Sequence, residues 1–133
     1  PGMGLNSFFA VVVGNIVGLT GMTEADGLAC ARPSGFVGKV IEPLLAGEVT
    51  IADPKLYHFM RALLESENIF LEPSACASFQ GAVELLQQSV GKEWCEKIGL
   101  TAEKLANSAH IAWATGGALV PADIRAAYEK MYL

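Results

Sequence analysis

Apolar segments typical of buried strands alternate along this chain with segments of helical periodicity, and this order constrains the fold most. Residues 8–13 (FFAVVV) and 109–114 (AHIAWA) are apolar without polar alternation, the pattern of a strand buried on both faces. Residues 69–71 form a third, shorter apolar run. Strands that alternate with helices in this way predict an α/β fold, with parallel strands in one layer.

The clearest predicted helix begins where Asp53 precedes Pro54, because an aspartate cap followed by proline in the first turn is a strong helix start. This helix is expected to end near Asn68. Its predicted buried stripe comprises Leu56, Phe59, Met60, Leu63 and Leu64.

Five other segments also have helical patterns. An apolar stripe over 36–45 is interrupted by Pro43, which predicts a kink or a change of packing partners there, and Gly47 is expected to end the helix. Ser74 is expected to cap the next helix, and two short helices are expected over 92–98 and 102–106. Pro121 opens a last helix, with Ile124, Ala127, Tyr128 and Met131 on one side.

Size and charge exclude several classes of protein. The 133 residues suffice for one domain, and nine scattered Lys and Arg with a net charge of −5 do not form a nucleic-acid-binding face. The apolar run 8–19 is too short to span a bilayer, which needs about 20 residues. Hydrophobic residues make up 52%, which suits a chain with much buried surface. Residue 1 is proline, which predicts a start within a longer or trimmed product.

The cysteines and histidines do not form a recognisable metal or disulfide pattern. Cys30, Cys76 and Cys95 form no CxxC pair and are odd in number, so buried free thiols in a reducing cytoplasm are expected. His58 and His110 are interpreted as structural histidines, His110 inside an apolar strand. Any metal ligand remains unknown. No GxSxG motif surrounds Ser74 or Cys76, which disfavours a small hydrolase.

Three turns rich in small residues follow or close the candidate strands, at 25–29 (ADGLA), 71–75 (LEPSA) and 114–117 (ATGG). In a parallel α/β sheet, ligands bind at the carboxyl ends of the strands. Small residues there allow a flat ring to approach the backbone. Each turn taken alone is better explained as an ordinary tight turn.

Taken together, these turns resemble one enzyme family. The segment TEADGLACARPSGFVGKVIEPLLAGE is similar to a stretch of D-serine dehydratases that contains ADGLA, then SGFVG and a leucine-rich helix. LEPSACAS is similar to the LEPSA turn of that family, and LANSAHIAWATGGALVP to its carboxy-terminal strand and glycine turn. The resemblance runs from Thr23 to about Tyr128, in order and at matching intervals.

The resemblance implies the large lobe of a fold type II pyridoxal-phosphate enzyme, a lyase that converts D-serine into pyruvate and ammonia. By the resemblance, Thr115 is the hydroxyl residue that faces the pyridine nitrogen of the cofactor, with Gly116 and Gly117 giving it room. A neutral hydroxyl does not favour a protonated ring nitrogen as a carboxylate would. Asp26 and Gly27 are expected on a turn that approaches the cofactor. No catalytic residue is assigned.

The chain also departs from the family pattern. The motif with the Schiff-base lysine and the phosphate-binding glycine loop are absent, and the match decays before Thr23. Residues 1–133 are therefore interpreted as a single domain, an incomplete carboxy-terminal segment of a cytoplasmic enzyme that is inactive and binds the cofactor weakly or not at all when alone. The alternative is a freestanding α/β remnant that serves as a binding or oligomerisation module. Open sheet edges predict self-association, or pairing with an upstream portion of the enzyme. Neither a membrane nor a nucleic acid is expected as a partner.

Overall fold

The computed structural model describes residues 23–29, 35–47 and 49–133 of the chain. Across these ranges the regular secondary structure is helical, without a strand. The α-helices are α1 (Gly35–Ile41), α2 (Asp53–Glu67), α3 (Phe79–Gln87), α4 (Ser89–Lys97), α5 (Ala102–Ala106) and α6 (Ala122–Tyr128). Two 3₁₀ helices, Asp26–Leu28 and Pro73–Ser78, precede α1 and α3.

Helix α2 is the centre of the fold and confirms its predicted bounds. It ends at Asn68, whose left-handed backbone (φ 56°) lets its N–H donate to the Leu64 carbonyl, a common way to end a helix. The Asp53 side chain does not cap this helix as predicted; Ala52 occupies the N-cap position without a side-chain bond. The Asp53 carboxylate instead accepts hydrogen bonds from residues before α1, described below.

The core lies between α2 and the 3₁₀ helix Pro73–Ser78. Leu56, Tyr57 and Met60 of α2 are fully buried against Ala75 and Cys76. Burying a side chain the size of Leu or Met contributes roughly 1.5–3 kcal/mol. The predicted stripe is confirmed at Leu56 and Met60, whereas Phe59, Leu63 and Leu64 are only half-buried. Ala25 and Leu71 complete the same cluster, which joins segments far apart in sequence.

The other helices follow the sequence pattern in part. Helix α1 ends at Ile41, before Pro43, so the expected continuation beyond the proline to a stop at Gly47 is wrong. Helix α5 has the predicted bounds, and the Thr101 hydroxyl accepts from the Lys104 N–H at 3.3 Å. Ser74 lies inside a 3₁₀ helix, so the prediction that it caps the next α-helix is wrong.

The strand predictions have a different outcome. Residues 8–13 lie outside the described residues. Residues 69–71 and 109–114 form no strand, and 109–114 is exposed rather than buried, with Ile111 at 88% and Trp113 at 76% exposure. An apolar run becomes a buried strand only where neighbouring strands pair with it and other elements cover it. The described residues supply neither for 109–114. Parallel strands alternating with helices are thus not found in the described part of the chain.

None of the described helices is long and apolar enough to cross a membrane. Cys76 and Cys95 are buried free thiols, as predicted, and Cys30 lies outside the described residues.

Candidate functional site

One cavity brings together the three turns that the sequence singled out. Its volume is about 600 Å³. The residues that line it come from each turn and from α6: Glu24, Asp26, Glu72, Pro73, Ser74, Thr115, Gly116, Gly117, Ala118, Leu119, Val120, Pro121, Ile124 and Tyr128. The turns are far apart in sequence, so this convergence is a property of the tertiary structure.

The first wall is the turn that carries Asp26, and the start of α2 holds it in place. The Asp53 carboxylate accepts from the Thr23 hydroxyl at 2.5 Å and from the Glu24 N–H at 2.9 Å. The Ala25 N–H donates to the Thr23 hydroxyl oxygen at 3.1 Å. The turn is therefore fixed by charge-assisted bonds to a helix that belongs to the core.

Two tyrosines secure the same wall through Glu24. The Tyr57 hydroxyl donates to one carboxylate oxygen of Glu24 at 3.1 Å, and the Tyr132 hydroxyl donates to the other at 2.8 Å. Burial, followed by the Glu24 hydrogen bond and charge, raises the pKa of Tyr57 well above its ordinary value. Both phenols therefore remain proton donors at neutral pH.

The second wall is the turn 71–75 and the third wall is the turn 114–117, and the two are in contact at Gly116 and Gly117. The Glu72 N–H donates to the Gly116 carbonyl at 3.2 Å. A Cβ at Gly116 would lie 2.6 Å from Glu72 Oε1, so the carboxylate occupies the space of the missing side chain. Gly117 has φ 140°, and a Cβ there would lie 2.9 Å from both the Glu72 nitrogen and the Phe70 carbonyl oxygen. The two turns are therefore in direct contact through Glu72 and the two glycines.

The cavity is acidic. Glu24, Asp26 and Glu72 contribute carboxylates, and no Lys, Arg or His is among its described lining residues. Next to it, burial and then the Glu72 charge raise the pKa of the Cys76 thiol to about 11. This thiol is therefore protonated at neutral pH and a poor nucleophile.

Three of the four predicted site residues line this cavity. Asp26, Thr115 and Gly116 are among its lining residues, and Gly27 follows Asp26 in the same 3₁₀ helix. Their roles toward a cofactor stay predictions. The histidines lie elsewhere: His58 and His110 are both exposed, so the placement of His110 in a buried strand is wrong. The described residues contain no group of three metal-ligating side chains.

Sequence reasoning missed Arg125, which binds the loop that forms the third wall. Its Nε donates to the Val120 carbonyl at 2.9 Å, and its Nη2 donates to the carbonyls of Gly117 at 3.1 Å and Ala118 at 2.9 Å. Its guanidinium also lies over the Phe70 ring, 4.6 Å from the centroid. No local motif marks such a residue, because its partners become apparent only when the loop is folded.

Several known proteins that share one description are similar to this chain. No family model matches the chain. A "Probable D-serine dehydratase" of Fusobacterium nucleatum is 47% identical over 118 residues, which cover 88% of this chain and 26% of the relative. Proteins with the same description from Bacillus cereus and Geobacillus stearothermophilus are 46% and 47% identical over 114 and 113 residues. The chain spans about a quarter of the length of these curated relatives.

Proposed function

We propose that this chain, which corresponds to the carboxy-terminal portion of the D-serine dehydratases, forms part of an enzyme that converts D-serine into pyruvate and ammonia with pyridoxal phosphate. The observation that carries the proposal is the convergence of the three family-like turns on one cavity. Each turn alone is an ordinary feature, whereas the three together provide a site that the whole enzyme would need.

The residues of the cavity fit one end of pyridoxal phosphate. Bound pyridoxal phosphate would supply an electron-accepting ring that makes loss of the substrate α-proton possible. Thr115 would hold the ring nitrogen with a neutral hydroxyl, and Gly116 would allow the Glu72 carboxylate to approach the turn closely. Glu72, packed against Gly116, would border the ring from the next wall.

The same cavity does not suit the phosphate end of the cofactor. Three carboxylates and no basic side chain line its described part, so a phosphate would be repelled there. We therefore assign the phosphate site and the cofactor-binding lysine to the rest of the enzyme. This chain alone is expected to be inactive and to bind the cofactor weakly. The exposed 109–114 segment would become a strand of the α/β large lobe once neighbouring strands cover it.

Two further observations concern the cellular compartment and a second candidate function. The buried free thiols of Cys76 and Cys95 fit a reducing compartment, in keeping with a cytoplasmic enzyme. The exposed Ile111 and Trp113 favour the second candidate function, an oligomerisation module, because exposed apolar surface of this kind marks interfaces.

The test is a chimera in which the matched stretch of the Fusobacterium nucleatum relative is replaced by the corresponding residues of this chain. We expect the chimera to form pyruvate from D-serine. Thr115→Ala should lower its kcat/KM about tenfold, equivalent to about 1.4 kcal/mol of transition-state stabilisation, because the ring nitrogen loses its partner. Thr101→Ala, which removes the α5 cap outside the cavity, should leave the rate within about twofold.

The isolated chain provides the complementary measurement. Mixed with pyridoxal phosphate and reduced with borohydride, it should show no specific mass adduct at any lysine. Pyruvate formation by the isolated chain would disprove its predicted inactivity. A folded, cofactor-loaded chimera without activity on D-serine would contradict the assigned substrate, and the oligomerisation module would then be favoured.

A further inference from the structure

Arg125 connects two walls of the cavity without lining it. Its three hydrogen bonds reach carbonyls of the loop 117–120, and its guanidinium covers Phe70, two residues before Glu72. The side chain is half-buried on α6. One side chain therefore contacts both the loop that follows Thr115 and the segment that carries Glu72.

The chemistry of arginine suits this position. The planar guanidinium presents several N–H donors in a fixed fork, so one residue can hold three carbonyl oxygens in a single arrangement. Hydrogen bonds from a charged donor are stronger than those between neutral groups. The face of Phe70 attracts the same cation. A lysine would supply charge but not the fork.

We propose that Arg125 is a positioning residue that sets the spacing between Glu72 and the Thr115–Gly117 turn. This inference rests on the proposed function for its consequence in catalysis, although its structural half stands without it. The spacing matters because the Glu72 carboxylate already lies against Gly116, and the backbone N–H of Glu72 donates to the Gly116 carbonyl. Displacement of the loop would move Thr115 away from the position that a ring nitrogen requires.

Two backbone amides report this spacing directly in the isolated chain. The Glu72 N–H donates to the Gly116 carbonyl, and the Val120 N–H donates to the Gly117 carbonyl at 3.2 Å. Measured by NMR hydrogen exchange, Arg125→Met should raise the exchange rate of both amides about tenfold. The Asn68 amide, which donates to Leu64 at the end of α2, should keep its rate.

Arg61→Met is the matched control. Arg61 also donates to backbone carbonyls, those of Met131 at 2.7 Å and Tyr132 at 3.4 Å, but these lie in the carboxy-terminal turn. This variant should leave the Glu72 and Val120 amides unchanged. The proposal is overturned if Arg125→Met changes neither amide, or if it raises exchange at Asn68 by the same factor, because the role would then be general stability.

The chimera tests the consequence of the proposal for catalysis. Arg125→Met should lower kcat about tenfold with KM for D-serine within about twofold, because a misplaced Thr115 affects the reacting ring rather than substrate capture. Arg125→Lys should restore part of the loss. Equal kcat values for the parent, Arg125→Met and Arg125→Lys chimeras would overturn the catalytic part of the proposal. An inactive parent chimera would count against the proposed function alone, since the exchange measurement does not depend on activity.

Discussion

Tyr57 combines full burial with a polar partner, and this combination sets how its stability contribution depends on pH. Its ring packs edge-on against Tyr128 with centroids 5.7 Å apart, and its hydroxyl donates to Glu24. The folded chain holds the phenol proton more tightly than the unfolded chain, because burial and the Glu24 carboxylate raise its pKa from 10.0. The resulting stabilisation is complete below about pH 10 and is lost as pH rises toward the folded-state pKa.

Tyr57→Phe therefore should change the pH profile as well as the stability. At pH 7 we expect the variant to lose about 1 kcal/mol, the usual net value of one hydrogen bond. Between pH 9 and 11 its free energy of unfolding should fall less steeply than that of the parent, in urea titrations at fixed pH. Some loss should remain, because the Cys76 pKa is also raised. Parallel profiles for parent and variant would refute this assignment.

The residues of the site were predictable only in part. Asp26, Thr115 and Gly116 could be predicted from short motifs, because small residues and hydroxyls at turns are visible in the sequence. Arg125 and Glu24 could not, because their partners are tens of residues away or are backbone carbonyls of a loop. His110 was misplaced because an apolar neighbourhood in sequence does not guarantee burial.

At the scale of elements, the start of α2 also anchors the turn of the first wall. The sequence predicts Asp53 as the cap of its own helix, whereas the structure uses its carboxylate to bind Thr23 and the Glu24 N–H. Both uses place a carboxylate in the first turn of a helix, where the dipole favours negative charge. Local pattern therefore identified the right residue and the wrong partner.

Asp53→Ala should destabilise the chain by about 1–3 kcal/mol, because it leaves the Thr23 and Glu24 donors without their charged acceptor. Asp123→Ala removes an exposed carboxylate from the first turn of α6 and should cost less than about 1 kcal/mol, the dipole contribution alone. Thermal unfolding of the two variants at one pH distinguishes these contributions. Equal losses would mean that the bonds to Thr23 and Glu24 contribute nothing measurable.

Helices were predictable from sequence where strands were not. A helix satisfies its hydrogen bonds internally, so the local patterns along 36–45, 53–68 and 102–106 were enough to predict that α1, α2 and α5 exist, although not the end of α1 or the cap of α2. A strand needs a partner segment, and whether residues 109–114 form one depends on what lies beside them.

For the molecule as a whole, the exposed apolar surface of residues 109–114 is expected to promote association between copies of the chain. The described residues contain no sheet edge, so we expect the predicted self-association to use this surface instead, and light scattering at about 100 µM should give a mass above that of one 14.0 kDa chain. Trp113→Lys should shift the chain toward the monomer. Leu44→Lys, at a similarly exposed apolar residue with 78% exposure, should not. A monomeric parent chain would contradict this expectation.

The three-walled cavity also has a consequence for the order of folding. Its walls come from residues near 25, 72 and 116, so bringing the walls together closes long loops of the chain. High contact order of this kind delays assembly until most of the chain is in place. A small molecule that fits the cavity would then recognise only the finished structure. By mass action it would raise the midpoint of unfolding, and would act as a folding aid even without any chemistry.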